Sequence, residues 1–195
     1  MAPLPLPRSL PETFSYAQAR SAGLSKRALY RLRDSGRIEP LARGLYRRND
    51  AEPADTDLLE FALRAPLATL CLTTALARHG LSDAIPSEID LALPRGTRAP
   101  ATRAPARWHR FDPATFKLGR ETLRVDHHHA LGLYSAERSI IDAFRMRGHE
   151  GQELAHEALK RWLRRKGSQP SRLLKLAAHF PRTAGTIRKA LEILL

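Results

Sequence analysis

Residues 14–48 read FSYAQARSAGLSKRALYRLRDSGRIEPLARGLYRR, and the changing period of this stretch decides the fold. Ser15 and Gln18 have the spacing of a capping box, in which each side chain satisfies the other's free backbone N–H. A helix opening there should stop at Gly23, because helix ends favour a residue that tolerates the left-handed conformation. Ser25 then caps a second helix running to about Ser35, with Gly36 as its stop. On that helix Ala28, Leu29 and Leu32 share one face. Arg27, Tyr30, Arg31 and Asp34 lie opposite, with Lys26 and Arg33 on the flanks. After Gly36 the period shortens. Residues 38–41 and 45–48 flank Ala42-Arg43-Gly44, a hairpin turn in which Gly44 can take positive φ. Pro40 has no N–H to give a ladder and must sit at an edge or a bulge. Helix, tight turn, basic helix and hairpin in that order predict a winged helix-turn-helix.

Such a unit fits duplex DNA. Arg27, Tyr30 and Arg31 are placed to enter a major groove, while Lys26, Arg33, Arg43, Arg47 and Arg48 are placed to hold phosphates. The free N–H groups behind Ser25 add an anion site. Charge agrees: residues 1–50 hold ten Lys/Arg against four Asp/Glu, and residues 51–195 hold 23 against 16. The net +13 of the 195-residue chain favours a polyanionic partner, nucleic acid before an anionic membrane. One cysteine, Cys71, excludes an internal disulfide framework and a cysteine-based zinc site. In its apolar surroundings it reads as a small core residue. No run approaches the ~20 apolar residues of a membrane span, and the start lacks the pattern of a signal peptide. A cytoplasmic protein is expected.

The domain order expected is a proline-rich arm over residues 1–11, the winged helix over 12–50, and a larger domain over 55–195. The acidic stretch NDAEPADTD, residues 49–57, would link the last two. Helices are expected over 57–65, from Thr73 or Thr74 to His79, from Ser135 to about Met146, over 152–166, over 171–179 and over 183–195. Strands are expected at 88–93, 108–111, 123–125 and 131–134. Residues 94–107, with three prolines and four arginines, read as a mobile basic loop. Arg138 and Asp142 should pair at i,i+4. The class is α+β, with a small sheet and C-terminal helices in the larger domain.

Catalytic patterns are sparse. GxxxxGK[ST], GxGxxG and GxSxG do not occur, so phosphate-cradling loops and the common serine turn lack support. Asp90 falls on a strand, yet no [DE]-x-K follows it as a metal nuclease would want. Gly167-Ser168 has no Asp after it to hold magnesium for nucleotidyl transfer. His127-His128-His129 could offer an ion at most His127 and His129, with Asp126 on the other side, and reads as an exposed loop. No catalytic residue, metal ligand or cofactor is expected.

The segment GLSKRALYRLRDSGRIEPLARGLYRR (residues 23–48) resembles the winged-helix domain of AbiEi-family antitoxins, whose wing has the form R-G-aliphatic-Y, here Arg43-Gly44-Leu45-Tyr46. The resemblance continues through TTALARHGLSDAIPSEIDLALP (73–94) and YSAERSIIDAF (134–144), with Glu137 to Asp142 similar to that family's Glu-Arg-Ser/Thr-aliphatic-aliphatic-Asp. It implies a bacterial type IV toxin–antitoxin system. Its antitoxin represses its own operon through promoter repeats, and its C-terminal domain counters a nucleotidyltransferase-like toxin. Two departures stand out. The helix usually preceding the helix-turn-helix is replaced by the proline-rich arm, and the endonuclease-like domain of some relatives is not expected. Two alternatives stay open: a diverged defence-type nuclease centred on Asp90 or Glu88, and an interaction module that holds a protein toxin directly.

Overall fold

The computed structural model describes residues 6–7, 9–146 and 149–195, the side chains of 149 and 150 excepted. The chain folds as two units. One takes Met1–Pro66, Pro100–Ala104 and Arg124–Leu131; the other takes Leu67–Ala99, Pro105–Leu123 and Gly132–Leu195. The class is α+β, with small sheets and a helical C-terminal part.

The first unit begins with β1 (Thr13–Ser15), α1 (Tyr16–Ser21) and α2 (Lys26–Asp34), followed by β2 (Ile38–Ala42), β3 (Leu45–Arg48) and α3 (Thr56–Arg64). The capping box at Ser15 and Gln18 forms in both directions. The Ser25 hydroxyl accepts from the Ala28 N–H at 3.1 Å, and Asp55 caps α3 through the Leu58 N–H. Gly23, Gly36 and Gly44 take the positive φ that ends the two helices and turns the hairpin. The three strands order as β1-β3-β2, all antiparallel. Pro40 sits on edge strand β2, next to a register shift between Pro40 and Ala42. Its missing N–H therefore costs no ladder bond.

β1 is an addition to the sequence expectation. It pairs with β3, and the Arg48 N–H donates to the Glu12 carbonyl at 2.8 Å, a bond between positions far apart in the chain. Phe14, Ala19, Leu24, Leu29, Leu32 and Ile38 form the core, with Leu10 buried beside them. Residues 1–5 and 8 of the expected arm lie outside the described residues; Leu10 itself is anchored rather than loose. The basic loop also needs correction. Glu60, 2% exposed, accepts from the backbone N–H of Arg103 and Ala104 at 3.0 Å, which ties residues 103–104 to α3.

The second unit carries β4 (Thr69–Leu70), α4 (Leu72–Arg78), β5 (Ile89–Pro94), β6 (Ala106–Phe111), α5 (Pro113–Phe116), β7 (Arg120–Arg124), β8 (Ala130–Tyr134), α6 (Ala136–Phe144), α7 (His149–Leu163), α8 (Pro170–Ala177) and α9 (Pro181–Leu194). Its sheet orders as β6-β5-β4-β8-β7, with β5/β6 and β4/β8 parallel. β4 and α5 are short elements that pattern reading did not expect. The cap expected at Thr73 or Thr74 is corrected too: α4 opens at Leu72, with Cys71 in the cap position and no side-chain cap bond. The Thr74 hydroxyl is occupied instead, accepting from the Asp90 N–H at 2.9 Å.

The apolar faces of α4 and α6–α9 close the main core around Leu76, Ile140, Leu159, Trp162, Leu173 and Ile187. Ser135 caps α6, and Arg138 and Asp142 pair at 2.8 Å as the i,i+4 spacing predicts. Both are buried, and Arg138 also donates to the Thr115 and Leu118 carbonyls while its guanidinium lies over the rings of Tyr134 and Phe180. Burial of Asp142 outweighs its two arginine partners, Arg138 and Arg145, and pushes its carboxyl above the ordinary range. Cys71 is free and buried, its thiol pushed well up by burial, as its apolar surroundings predict. Among the described residues no helix is long and apolar enough to cross a membrane.

Candidate nucleic-acid interface

Helix α2 presents the surface the sequence singled out. Leu29 and Leu32 turn into the core, each worth about 1.5–3 kcal/mol of burial. That fixes the rotation of the helix, and Lys26, Arg27, Tyr30, Arg31 and Arg33 are left exposed. Ser25, also exposed, accepts from the Ala28 N–H with its hydroxyl oxygen, which closes the first turn of the helix.

Within this face the side chains are not independent. Tyr30 is 41% exposed, with the Lys26 ammonium 5.7 Å and the Arg33 guanidinium 4.8 Å from its ring centre. Arg33 forks onto the Asp34 carboxylate at 2.9 and 2.8 Å, which holds its charge still more firmly. Arg27 and Arg31, one turn apart on the helix, carry further exposed positive charge.

The hairpin separates its three arginines. Arg43 is exposed at the turn. Arg48 forks onto Asp50 at 2.9 Å, and that hydrogen bond lowers the Asp50 carboxyl. Arg47 corrects the sequence reading. It is 4% exposed, donates to the Thr13 hydroxyl and the Glu52 carbonyl, and lies 3.7 Å from the Asp126 carboxylate. A phosphate cannot reach it. The signal was present in the strand's period of two: with Leu45 inward, Arg47 must follow and Arg48 must not.

Two cations outside the expected DNA-contact set stand at the hairpin. The Arg64 guanidinium donates to the Arg43 carbonyl at 2.8 Å, and that of exposed Arg103 reaches the Leu41 carbonyl at 3.4 Å. Arg64 is spaced i,i+4 from its carboxylate partner Glu60, which is the one sequence cue for its position.

The histidine triplet divides. His127 is exposed and faces Glu52 at 3.3 Å, as a loop residue would. Asp126 and His129 are partly buried and paired, with Asp126 accepting from the His128 and His129 N–H groups and from His129 Nδ1. Burial raises the Asp126 carboxyl, but these donors outweigh it and leave it below the ordinary range. The carboxylates of the nuclease alternative are engaged separately: Asp90 with His109 at 2.8 Å, Glu88 with Arg107 at 2.9 Å. Among the described residues no three His, Cys, Asp or Glu side chains gather as a metal site would require.

Comparison with known proteins bears on this same unit. Residues 4–49 match the family model described as "Transcriptional regulator, AbiEi antitoxin". No curated protein matches the chain. Among solved structures, the RV2827C protein from Mycobacterium tuberculosis aligns over 96% of this chain and 77% of its own, at 18% identity and a TM-score of 0.53. That degree of likeness is one of fold.

Proposed function

We propose that this protein is a DNA-binding transcriptional repressor that serves as the antitoxin of a type IV toxin–antitoxin system. Residues 13–48 would act as a winged helix, with α2 in the major groove of its own promoter repeats. The observation that carries the reading is the exposed face of α2, ordered by a buried leucine pair and two serine caps, inside the segment that matches the AbiEi family. Arg27, Tyr30 and Arg31 would read base edges. Lys26, Arg43 and Arg48 would hold phosphates, with Arg103 beside the wing. Arg33 joins them only by leaving Asp34, and Arg48 holds a phosphate only by leaving Asp50. The second unit would oppose a nucleotidyltransferase-like toxin in the cytoplasm, without itself acting as an enzyme.

The test is a gel shift against the chain's own promoter. Replacing Arg27 and Arg31 with alanine should abolish the shift while the thermal midpoint stays put, because exposed substitutions of this kind change stability by about 0.5 kcal/mol or less. A double variant that still shifts the promoter would sink the assignment. For the antitoxin half, co-expression with the product of the adjacent reading frame should relieve growth arrest. Arrest that persists would remove that half alone.

A further inference from the structure

Outside the helix-turn-helix, the second unit holds a group of polar side chains that DNA binding does not use. The strand EIDLALP puts a carboxylate between apolar residues that enter the core, and Asp90 is 4% exposed. A buried carboxylate costs several kcal/mol unless it is hydrogen-bonded. The parallel register of β5 and β6 sets Ala92 beside His109, and His109 Nε2 lies 2.8 Å from Asp90 Oδ1. A carboxylate can only accept, so Nε2 donates to Asp90, and the neutral form of the ring then offers Nδ1 as an acceptor. Among the described residues nothing donates to that Nδ1.

His109 lines a cavity of about 370 Å³ together with Leu72, Phe111, Asp142, Arg145 and Met146. That volume lies within the usual range for small-molecule sites. Leu72 stands at φ 46°, a conformation costing about 1–3 kcal/mol that recurs at ligand clamps. Arg145 is anchored on Asp142 at 2.8 Å, with its guanidinium 5.7 Å from the centre of Phe111 and its side chain still 39% exposed. Of the lining side chains, Asp142 and Arg145 are paired with each other and offset each other's charge. A free anion gains little there. A neutral planar ring gains an apolar wall from Leu72, Phe111 and Met146, an acceptor at His109 Nδ1 and donors at Arg145.

We propose that this cavity binds a neutral heteroaromatic ligand of the nucleobase or nucleoside class. The ring lies against the apolar wall, with a ring N–H directed at His109 Nδ1 and a ring carbonyl or nitrogen at Arg145. The assignment is independent of DNA binding by α2.

The experiment is isothermal titration calorimetry on the full chain with adenosine, guanosine, cytidine, uridine and inorganic phosphate. At least one nucleoside should bind with a dissociation constant below about a millimolar, while phosphate gives no heat. His109→Gln keeps a donor for Asp90 but removes the ring lone pair, and should weaken the bound nucleoside at least tenfold. Arg145→Met should do the same; if its melting curve shows that it has not folded, His109→Gln decides alone. No heat from any nucleoside at 5 mM, phosphate binding as well as nucleoside, or affinity unmoved by His109→Gln would each overturn the proposal.

Discussion

Arg47 and Asp126 lie 3.7 Å apart, their side chains 5% and 3% exposed, and together tie the last strand of the N-terminal hairpin to the segment at residues 124–131. Each has further partners: Thr13 and the Glu52 carbonyl for Arg47, His129 and two backbone N–H groups for Asp126. Removing one member of a buried pair strands the other, at about 3–5 kcal/mol. Asp126 keeps its other donors, so Arg47→Ala should fall near 3 kcal/mol. Denaturant unfolding of Arg47→Ala, Asp126→Asn and the double variant checks this. Costs that simply add would show that the two do not interact.

Arg43 should behave in the opposite way. It is exposed at the hairpin turn, and its alanine variant should leave the unfolding curve in place. Promoter affinity should fall by a similar factor on every sequence, and the slope of log affinity against log salt should shrink by about 1, the mark of one lost phosphate contact. A change in sequence preference with an unaltered slope would mean that Arg43 reads bases.

The Asp126 carboxyl gives the N-terminal unit an acid-side dependence. Its folded pKa lies below its ordinary 3.8. The folded state therefore binds its proton less readily than the unfolded chain, and stability rises with pH across that window. The contribution is complete above the ordinary value and is lost as pH falls through the lowered one. Thermal midpoints measured from pH 5 down to pH 2.5 should drop less steeply in Asp126→Asn than in the parent. Parallel curves would remove Asp126 as the source.

Glu60 should control the order of the loop at residues 100–104. Its carboxylate accepts from two backbone N–H groups there and pairs with Arg64 at 2.8 Å. In Glu60→Ala those donors lose their acceptor, each at about 1–3 kcal/mol if it stays buried. The loop can instead move out to water. Amide exchange at Arg103 and Ala104 should then quicken by an order of magnitude or more, and unchanged protection would show that other bonds hold the loop.

What the sequence made legible was local. The capping box at Ser15, the cap at Ser25, the glycine stops and the Arg138–Asp142 spacing are each written within five residues, and each appears in the structure. Features made between distant segments escaped it. β1 exists because β3 pairs with it, and Thr74 fails as a cap because Asp90 takes its hydroxyl. The exposed face of α2 could be read from helical period alone. Arg47 could have been placed by strand period, but three arginines around one turn invited a reading by charge instead.

The Arg138–Asp142 pair shows the same contrast in energetic terms. Its spacing suggests a surface helix pair worth a few tenths of a kcal/mol, yet both side chains are 0–1% exposed. Arg138 also bridges the Thr115 and Leu118 carbonyls and lies among the rings of Phe111, Tyr134 and Phe180. Arg138→Ala should therefore cost about 3–5 kcal/mol, roughly ten times the surface value. Arg138→Met, which keeps the stem among the rings but removes the charge, leaves Asp142 with Arg145 alone. Burial already holds the Asp142 carboxyl above the ordinary range, and losing one arginine should raise it further. An acid whose folded pKa is raised binds its proton more readily when folded, so stability falls as pH rises through that window. The Met variant should accordingly be most stable in mild acid, and lose more stability than the parent on going from pH 5 to pH 8. Equal losses in the two proteins would show that Asp142 does not depend on Arg138 for its charge.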